Sequence, residues 1–596
     1  MYSQNKTIQH LLSLLKAFDI NRIVISPGSR HFPLTHSLEA DNFFELYSVV
    51  DERSAAFFAL GIIQRTNDPV AVCCTSGSAV TNYGSAVSEA YYQHLPLLLI
   101  TVDRIPELLS QKEDQMIRQD NLFHEFIKYH GNLPMIRTET DEWYANRIIN
   151  EALIELHRYG KGPVQINFPV FEHNTDTFEV KVLPKVRKIS YNNFETSSAI
   201  WMEAVQKLLN KKVIIVWGQS VEITDNLRKS ATRFCEIFDA VILTDYISNC
   251  TCSNTIKNTL PLLPALSISE RKSLRPDIVI TIGGNVVFNG EIKGFIKSEG
   301  NDIENWQVGP NGDVCDPFRH LTEIFEMNEN SFFQRIIAAY DDIDVNKATP
   351  RTDYFDNWHQ VSISIVEPDV EFSQLQVIGK LIKSLPKNSI LQLSNSNTIR
   401  MGHLFNLDKT IRCFANRGVN GIDGCMSTAV GYASNSKDLV FLIIGDLTFF
   451  YDMNALWNRH LSDKLRILLV NNEGGAVMHM PFNPEIGKIL PNHTSAGHTT
   501  SAKGWVESIG VNYISASNEK EMEQGIEKLV SPTIQGPILL EVFTKKEIDV
   551  QIFKQYYSSI NRITSSELTK QRIKLLIEHP ELTKQSIKRV IKKITG

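Results

Sequence analysis

The sequence predicts an α/β protein of three doubly wound parallel-sheet domains, followed by a short helical extension at the C-terminus. Three observations lead to this fold class. The chain has 596 residues, which is too many for one hydrophobic core. Short runs rich in Val, Ile and Leu alternate with helical patterns along nearly the whole chain, as is typical of parallel sheets. These runs fall into three sets, which polar segments separate.

The first set is predicted to form a domain over residues 1–180. It opens with a core helix, because Ile8, Leu11, Leu12, Leu15 and Phe18 follow helical spacing and no basic region or cleavage site of a signal peptide is present. The predicted strands of this set are NRIVISPGS, FELYSVVDE, PVAVCCTSGS, LPLLLITVDR and GPVQINFP. In the second of them, Val49 and Val50 are expected to end a buried strand, and Ser54 to Gly61 are expected to start a buried helix.

A polar stretch at 174–200 is predicted to link this domain to a middle domain over 190–345. The middle domain contains the predicted strands KKVIIVWGQS, DAVILTDY and DIVITIGGN. A second passage between domains is predicted at 340–372. The third domain, over 370–550, contains SILQLSNS, TIRCFANRG, DLVFLIIGD, LRILLVNNEGG and GPILLEVF.

The tail, residues 551–596, differs from the rest because it has ten Lys and Arg residues against three Glu. Within it, ELTKQRIKLLIEHP (Glu567–Pro580) is followed directly by ELTKQSIKRVIKKI (Glu581–Ile594), a duplication of fourteen residues. Each copy has an apolar stripe at helical spacing. The tail is predicted to form two short helices docked on the body, with an RNA- or membrane-binding arm as the alternative.

Composition excludes several functional classes. The formal net charge of −6 gives no global signal for nucleic acid or an anionic membrane. No apolar run reaches the length of a membrane span. The eight cysteines follow neither a zinc pattern nor a secreted disulfide framework, so a reducing, cytoplasmic location is expected.

The clearest chemical motif lies in the third set. Asp446 and Asn472 follow two consecutive buried strands, and a βαβ crossover would bring both side chains to the same edge of the sheet. Carboxylate, amide and backbone oxygens suit a hard cation such as Mg²⁺, which commonly bridges to phosphates. A helix expected to begin near Thr448 would present its N-terminus to a diphosphate. The alternative is that GD and NN are ordinary loop sequences.

Glu52 lies where the second predicted strand meets the following helix. One interpretation is that Asp51 and Glu52 complement the positive end of the helix dipole. The other is that a carboxyl group among apolar neighbours handles a proton.

The GD…NN pattern resembles the metal-diphosphate motif of thiamine-diphosphate enzymes, whose three domains follow the same order. The resemblance implies thiamine diphosphate and Mg²⁺ (or Mn²⁺) as cofactors, with Asp446, Asn472 and the Gly474 carbonyl as metal ligands. It implies that Glu52 is the catalytic glutamate that hydrogen-bonds the cofactor's aminopyrimidine ring. It also implies a homodimer or homotetramer with active sites between subunits.

Further motifs resemble one branch of these enzymes, the 2-succinyl-5-enolpyruvyl-6-hydroxy-3-cyclohexene-1-carboxylate synthases of menaquinone biosynthesis (MenD). They are SPGSR, DERSAAFFALG, CTSGSA, TVDRIPEL, Gln115, SNSNTIR and NRGVNGIDG, within a similarity that spans roughly residues 1 to 550. By this resemblance the chain is a transferase that decarboxylates 2-oxoglutarate and adds the resulting succinyl carbanion to isochorismate. Ile422 would hold the cofactor in its bent shape.

The resemblance assigns Ser396, Arg400 and Arg417 to 2-oxoglutarate, and Ser29, Arg30, Arg104 and Gln115 to isochorismate. The chemistry agrees, because two dianions bring four carboxylates into one site and guanidinium groups pair with carboxylates bidentately. The four arginines lie at or just beyond predicted strand ends, where open α/β sheets bind ligands. A single arginine is more often part of a surface salt bridge.

The sequence departs from the family pattern at three places. The loop after DIVITIGG reads NVVFNGEIK, in which Lys293 is a candidate for the usual Ser-Lys pair. Val477 and Met478, followed by His479, replace an Ile-Phe type of pair, and a lone histidine is more often structural than catalytic. His31 and Phe32 replace small polar residues.

Two alternatives remain at the level of sequence. One is another thiamine-diphosphate 2-oxo acid decarboxylase or an acetolactate-type synthase, which would not need four arginines. The other is a cofactor-binding scaffold without turnover, which would have no use for a proton-handling carboxylate at position 52.

Overall fold

The computed structural model describes residues 1–170, 177–297, 302–343, 353–480 and 491–560. The nineteen strands in these ranges form three sheets, and the strand pairs with an assigned register are parallel. The strands of the three sheets fall within residues 22–169, 190–326 and 390–543. The predicted α/β class with three doubly wound sheets is therefore confirmed, whereas the predicted domain boundaries stay a prediction.

The chain divides into two compact units, and the first consists of residues 1–192 and 312–324. Its six-stranded sheet has the order β2-β1-β3-β4-β6-β5, with β1 Arg22–Ile25, β2 Glu45–Ser48, β3 Val70–Cys74, β4 Leu97–Asp103, β5 Tyr129–Asn132 and β6 Val164–Pro169. Its helices are Lys6–Ala17, Phe32–Glu39, Glu52–Thr66, Ser78–Thr81, Gly84–Tyr92 and Glu139–Glu155. Two further strands, β7 Ser190–Asn192 and β13 Leu321–Glu326, are hydrogen-bonded neighbours, and the last two residues of β13 belong to the second unit.

Both faces of the first sheet are covered, as expected for a doubly wound fold. In β1, Ile23 packs into one hydrophobic core and Val24 into another, because successive side chains of a strand point to opposite faces. The predicted N-terminal core helix is confirmed as Lys6–Ala17, which buries Ile8, Leu11, Leu12 and Leu15.

The second unit consists of residues 193–311 and 325 onward. Five strands of the middle sheet lie in it in the order β10-β9-β8-β11-β12, with β8 Val213–Trp217, β9 Val241–Thr244, β10 Thr255–Ile256, β11 Ile278–Ile282 and β12 Glu304–Gly309. The third sheet has the order β15-β14-β16-β17-β19-β18, with β14 Ile390–Leu393, β15 Arg412–Phe414, β16 Val440–Gly445, β17 Leu465–Asn471, β18 Asn512–Ala516 and β19 Ile538–Phe543.

The helices of the second unit connect these strands. Those of its middle sheet are Ser198–Leu208, Asp225–Phe238, Thr259–Ala265, Ile268–Leu274, Asn289–Ile296 and Glu329–Asp341. Those that follow along the chain are Tyr354–Ser362, Gln374–Ser384, Asn397–Gly402, Cys425–Ser434, Asp446–Tyr451, Pro491–Thr494, Lys503–Ser508, Glu519–Val530 and Lys546–Ile560.

Two local predictions for the first unit are wrong. The strand β2 ends at Ser48 and Val50 is 77% exposed, because β2 is the edge strand of its sheet and Val50 lies beyond its end. The following helix is only half-buried: it packs Ala55, Ala59 and similar residues inward and leaves Phe57 and Phe58 exposed. A helix that packs on one sheet buries only the stripe that faces the sheet.

Three further predictions concern membrane spans, the cysteines and the tail. No helix of the described ranges has the length and hydrophobicity that crossing a membrane requires. All eight cysteines are free. The first residues of the predicted tail belong to the helix Lys546–Ile560, and the duplicated segment lies outside the described residues.

Candidate functional site

Asp446 and Asn472 meet at one edge of the third sheet. They directly follow β16 and β17, which are adjacent and parallel. Asp446 Oδ2 accepts the backbone N–H of Asn472 at 3.1 Å and that of Gly474 at 2.9 Å. The convergence predicted from the βαβ spacing is confirmed, and the buried Asp446 carboxylate fixes the loop that follows β17.

The helix predicted to begin near Thr448 is present, and its start lies two positions earlier. The helix begins at Asp446 itself and ends at Tyr451, so the carboxylate belongs to its first turn. A carboxylate there is favoured by the unpaired backbone N–H groups of a helix start, and Asp446 Oδ1 accepts the N–H of Leu447 at 2.6 Å. His498 Nε2 lies 3.3 Å from Asp446 Oδ2, and hydrogen bonding to this carboxylate raises the pKa of His498.

Gly474 is the residue that the loop requires for steric reasons. Its φ is +136°, a conformation that residues with a Cβ rarely adopt. A Cβ at this position would lie 2.7 Å from the carbonyl oxygen of Ser495, and Gly475 donates its N–H to the same oxygen at 2.6 Å. The close approach holds the Asn472–Gly474 loop against residues 495–497.

A cavity of about 160 Å³ opens beside this loop. Its lining includes Asn395, Ser396, Ile422, Asp446, Asn472 and Gly474. Val477 and Met478, which replace the family's usual pair, also line it. Ser396 has a φ of +74°, and such conformations in residues other than glycine cluster at ligand sites. Four of the residues that the sequence assigned to the cofactor and one assigned to a substrate thus border one cavity.

Two predicted substrate arginines attach to the lining of this cavity. Arg400 donates to the carbonyl oxygen of Ser396 at 2.9 Å, and Arg417 donates to Asn395 Oδ1 at 3.0 Å. Burial and then the charge of Arg400 lower the pKa of Arg417, while Asp245 raises it. Within the described part of the chain, Arg417 Nε has no hydrogen-bond acceptor. The site therefore holds buried positive charge that an anion can balance.

The middle sheet contributes residues that the sequence analysis did not single out. Asp245 follows β9 and is buried, and burial raises its pKa to about 7. Its carboxylate accepts the N–H groups of Ile247 and Val287. Asn285, which follows β11, donates to the carbonyl oxygen of Arg417 at 2.7 Å. The signal that could have found Asp245 is the one that pointed to Asp446, a polar residue just after a buried strand, whereas Asn285 lies three positions beyond the end of β11.

The helix Asn289–Ile296 contains the last five residues of the altered middle-domain segment NVVFNGEIK. Burial raises the pKa of Glu291, and the charge of Arg400 offsets part of that effect. Lys293 lies two positions further along the same helix, and its substitution for the family's usual lysine stays a prediction.

In the first unit, Asp51 and Glu52 have separate partners. Asp51 caps the helix Glu52–Thr66, because its Oδ1 accepts the N–H of Ser54 at 2.8 Å. Glu52 is half-buried, and its Oε2 accepts a hydrogen bond from the Asn82 amide at 3.1 Å. Asp51 thus accounts for helix capping and leaves the Glu52 carboxylate, apart from Asn82, available for another role.

The predicted isochorismate residues follow strand ends of the first sheet. Arg30, after β1, is 5% exposed. Burial raises the pKa of Asp103, and the positive charge of Arg30 offsets part of this effect. Arg104, after β4, pairs with Glu113 at 2.9 Å. Ser29 and Gln115 are exposed. Their roles at a substrate stay a prediction.

Gln119 is a residue that sequence reasoning missed in this unit. It is 1% exposed and accepts the N–H of Gly77 at 2.9 Å while donating to Asn167 Oδ1 at 2.8 Å. It fixes the loop after β3 against the loop after β4. No local pattern marks it, because its partners lie 42 and 48 positions away.

The two histidines among the departures have structural environments. His31 is buried, and burial lowers its pKa to about 4. His479 Nε2 lies 2.8 Å from the hydroxyl oxygen of Ser495. Both observations favour the structural interpretation of these residues over a catalytic one.

Comparison with known proteins identifies the family. Residues 5–122 match the family described as "Thiamine pyrophosphate enzyme, N-terminal TPP binding domain". A 2-succinyl-5-enolpyruvyl-6-hydroxy-3-cyclohexene-1-carboxylate synthase of Phocaeicola vulgatus is 39% identical over 565 residues, covering 94% of this chain and 99% of the relative. The synthases of Bacteroides thetaiotaomicron and Flavobacterium johnsoniae are 38% and 32% identical, and each is covered over 100% of its length by 94% of this chain. The chain therefore belongs to the 2-succinyl-5-enolpyruvyl-6-hydroxy-3-cyclohexene-1-carboxylate synthases, a family of thiamine-diphosphate enzymes.

Proposed function

We propose that this chain is a thiamine-diphosphate-dependent transferase of menaquinone biosynthesis. It removes CO2 from 2-oxoglutarate and joins the remaining four-carbon fragment to isochorismate, which gives the product in the family's name. The observation that carries this proposal is the attachment of Arg400 and Arg417 to the cavity beside Asp446 and Asn472. A phosphate and metal site next to the buried Arg417 and the half-buried Arg400 suits a cofactor and an anionic substrate together.

The residues at the sheet edge fit a diphosphate-bound cation. Asp446 contributes a carboxylate, Asn472 an amide oxygen and Gly474 a backbone carbonyl, which are hard oxygen ligands of the type that Mg²⁺ or Mn²⁺ takes. When bound, thiamine diphosphate supplies the carbon nucleophile and the electron sink for decarboxylation.

The arginines act on the substrate carboxylates. Arg400 and Arg417, with Ser396, hold 2-oxoglutarate, and the bound dianion balances the positive charge that burial makes costly at Arg417. Holding the substrate in a site shielded from water positions it for reaction and protects the reactive carbon from protonation. Ser29, Arg30, Arg104 and Gln115 hold isochorismate in the same way.

Glu52 hydrogen-bonds the aminopyrimidine ring of the cofactor and shares a proton with it. Its partner Asn82 fixes one carboxyl oxygen and leaves the other for the aminopyrimidine ring. Ile422 borders the same cavity as Asp446 and supports the bent conformation of the cofactor.

The active enzyme is a homodimer or a dimer of dimers in which Glu52 and the Asp446 loop of different subunits hold one cofactor. Exposed aromatic residues of the first unit support this assembly, because Phe57 is 42% exposed, Phe58 45% and Tyr92 72%. Apolar patches of this kind mark protein–protein interfaces.

One assay tests the proposal against its alternatives. The purified protein receives 2-oxoglutarate, thiamine diphosphate and Mg²⁺, and CO2 is measured before and after addition of isochorismate. Formation of a carbon–carbon bond that depends on isochorismate supports the synthase. Release of the aldehyde alone, whether or not isochorismate is present, contradicts it in favour of a simple decarboxylase. The absence of decarboxylation contradicts it in favour of a scaffold.

A further inference from the structure

Asp549 lies directly behind the candidate cation site. It is fully buried on the first turn of the C-terminal helix Lys546–Ile560. Its Oδ1 accepts the backbone N–H of Gln374 at 2.7 Å. Its Oδ2 accepts hydrogen bonds from the Asn472 amide at 2.9 Å and from the Thr544 hydroxyl at 2.7 Å. Three donors therefore satisfy a carboxylate that lies 77 positions away from Asn472 in sequence.

These contacts fix which atom of the Asn472 amide faces Asp549. Asn472 presents its NH2 group to Asp549 Oδ2. Burial raises the pKa of Asp549, and the hydrogen bonds from Gln374, Asn472 and Thr544 oppose this by favouring the carboxylate form, which only accepts hydrogen bonds. The amide oxygen then points away from Asp549 and is available to another partner. An amide that turned over would place two oxygen atoms against each other in a buried site, which is costly.

We propose that Asp549 is a positioning residue that orients the Asn472 amide oxygen toward a cation held by Asp446 and the Gly474 carbonyl. The proposal rests on the proposed function, because it takes the cation site as given. It also makes the cation site depend on the docking of the C-terminal helix, since Asp549 comes from that helix. Partners that hold a metal ligand commonly change metal affinity by about 10- to 100-fold when they are mutated.

Asp549→Asn tests this role with almost no change in shape. The new side chain has only one oxygen. This oxygen must face the backbone N–H of Gln374, because that group can only donate a hydrogen bond. The new NH2 group then faces Thr544, whose hydroxyl can turn to accept it, and Asn472, whose amide must turn over. We expect the Mg²⁺ concentration that half-saturates thiamine diphosphate binding to rise at least about 10-fold. Intrinsic tryptophan fluorescence or calorimetry measures this binding without turnover.

A double variant provides a rescue. In Asp549→Asn with Asn472→Asp, the amide and the carboxylate exchange places, so the hydrogen bond between them is restored and an oxygen again faces the cation. We expect the Mg²⁺ midpoint to return most of the way to the wild-type value. This variant keeps the proposal testable if the single variant does not fold.

Glu541→Gln is the matched control. Glu541 is also a buried carboxylate of the third sheet, and its oxygens accept hydrogen bonds from Asn471, Ser501 and Tyr513. We expect it to lower the thermal midpoint while leaving the Mg²⁺ midpoint unchanged. An unchanged Mg²⁺ midpoint in Asp549→Asn, or an equal shift in both variants, overturns the positioning role. Thiamine diphosphate binding to the wild type that does not depend on Mg²⁺ overturns the proposed cation site instead.

The C-terminal helix also borders a wide groove. Its cavity volume is about 1290 Å³, above the range of about 300–1,000 Å³ that is typical of small-molecule pockets. Val366, at 71% exposure, and Ile548, at 42%, give it an apolar floor. The described residues that line it include four acidic side chains and no Lys or Arg; the acidic ones are Glu367, Asp369, Glu371 and Glu519.

The chain segment that follows the groove has the complementary character. Ile560 lines the groove and is the last described residue before 561–596, a segment with nine Lys and Arg against three Glu. The two fourteen-residue copies share eight identical positions, and each has the apolar stripe Ile573, Leu576, Ile577 or Ile587, Val590, Ile591. A helix of fourteen residues is about 21 Å long.

From this complementarity we infer, independently of the proposed function, that residues 561–596 dock in the groove of their own chain. The groove offers the exposed Val366 and Ile548 to the apolar stripe of this segment and its acidic rim to the basic side chains. Because the segment is tethered at the groove, its effective concentration there is high and modest affinity is enough.

Hydrogen–deuterium exchange of the full-length protein at low salt tests this docking. We expect amides of 567–594 to exchange at least about tenfold more slowly than in an unstructured chain, and to lose this protection in Asp369→Lys with Glu371→Lys. The control pair, Glu222→Lys with Glu507→Lys, reverses two exposed charges that do not line the groove. This control should retain the protection of the tail amides. Unprotected tail amides in the wild type overturn the inference. Equal protection in both double variants, or protection only after addition of RNA or anionic vesicles, also overturns it.

Discussion

The Asp446 carboxylate accepts the backbone N–H of Asn472 at 3.1 Å, although 26 positions separate the two residues in sequence. This contact joins the ends of two parallel strands and aligns the loop that continues to Gly474. Hydrogen bonds within the chain therefore order the loop at this edge of the sheet. Such preorganisation spares the cost of ordering the loop when a cofactor binds.

Glu52→Gln should lower kcat by about 10²- to 10⁴-fold, because a glutamine cannot exchange a proton with the cofactor ring. Steady-state turnover at saturating cofactor measures the change, and circular dichroism checks that the variant folds.

Asp51→Ala is the matched control for Glu52. It removes the helix cap, so it should lower the thermal midpoint and leave kcat near the wild-type value. Near-normal turnover of Glu52→Gln would contradict the catalytic role of Glu52.

Arg400→Ala should raise the KM for 2-oxoglutarate by about 10- to 100-fold, because a charged hydrogen-bonding partner of a substrate carboxylate is lost. The KM for isochorismate should change much less. Arg412→Ala, an exposed arginine in the same domain, should leave both constants unchanged. An unaltered dependence on 2-oxoglutarate in Arg400→Ala would refute the assignment.

Gly474→Ala should destabilise the loop by about 1–3 kcal/mol, since a φ of +136° and a Cβ 2.7 Å from the Ser495 oxygen cannot both be kept. Thermal unfolding and the Mg²⁺ dependence of cofactor binding measure the effect. Gly504→Ala, where a Cβ would meet nothing within 4 Å, should be neutral or slightly stabilising. Equal behaviour of the two variants would rule out the steric explanation.

His403 should make the second unit sensitive to acid. Burial lowers its pKa to about 4, and the charge of Arg417 also lowers it while the Ile399 carbonyl raises it. The ring is held neutral, because Nε2 accepts the N–H of Tyr246 at 3.2 Å and Nδ1 lies 2.6 Å from the Ile399 oxygen. The unfolded chain binds a proton near pH 6.5, so stability is lost as the pH falls from 6.5 toward 4.

At pH 5 this loss is about 2 kcal/mol relative to pH 7.5. The thermal midpoint of His403→Gln should therefore fall less between these two pH values than that of the wild type. His460→Gln, at an exposed histidine, should follow the wild type. Parallel pH profiles for all three proteins would show that His403 is not the titrating group.

Much of the fold followed from local sequence patterns. Buried parallel strands read as continuous runs of Val, Ile and Leu, and thus the strands that end at Gly445 and Asn471 could be located from composition. Asp446 and Asn472 could be paired because parallel strands bring their carboxyl ends to one edge. The position of Val50 could not be predicted, because the sequence does not reveal which strand lies at the edge of the sheet.

The rest of the site depends on tertiary contacts. Asp549 contacts Asn472 from a helix after the last strand, and Asn285 reaches Arg417 from 132 positions away. Neither residue lies in a motif with Asp446. Their side chains are ordinary polar residues in sequence, and only the packing of the helix and of the middle sheet gives them a role.

Subunit mixing tests the central claim most directly, which is that Glu52 of one subunit and the Asp446 loop of another hold one cofactor. Glu52→Gln and Asp446→Asn proteins, each inactive alone, are unfolded and refolded together in equal amounts. If each site is shared between two subunits, half of the sites in mixed dimers are intact and the mixture regains about a quarter of wild-type activity. Refolded mixtures that contain mixed dimers yet remain inactive would contradict the account.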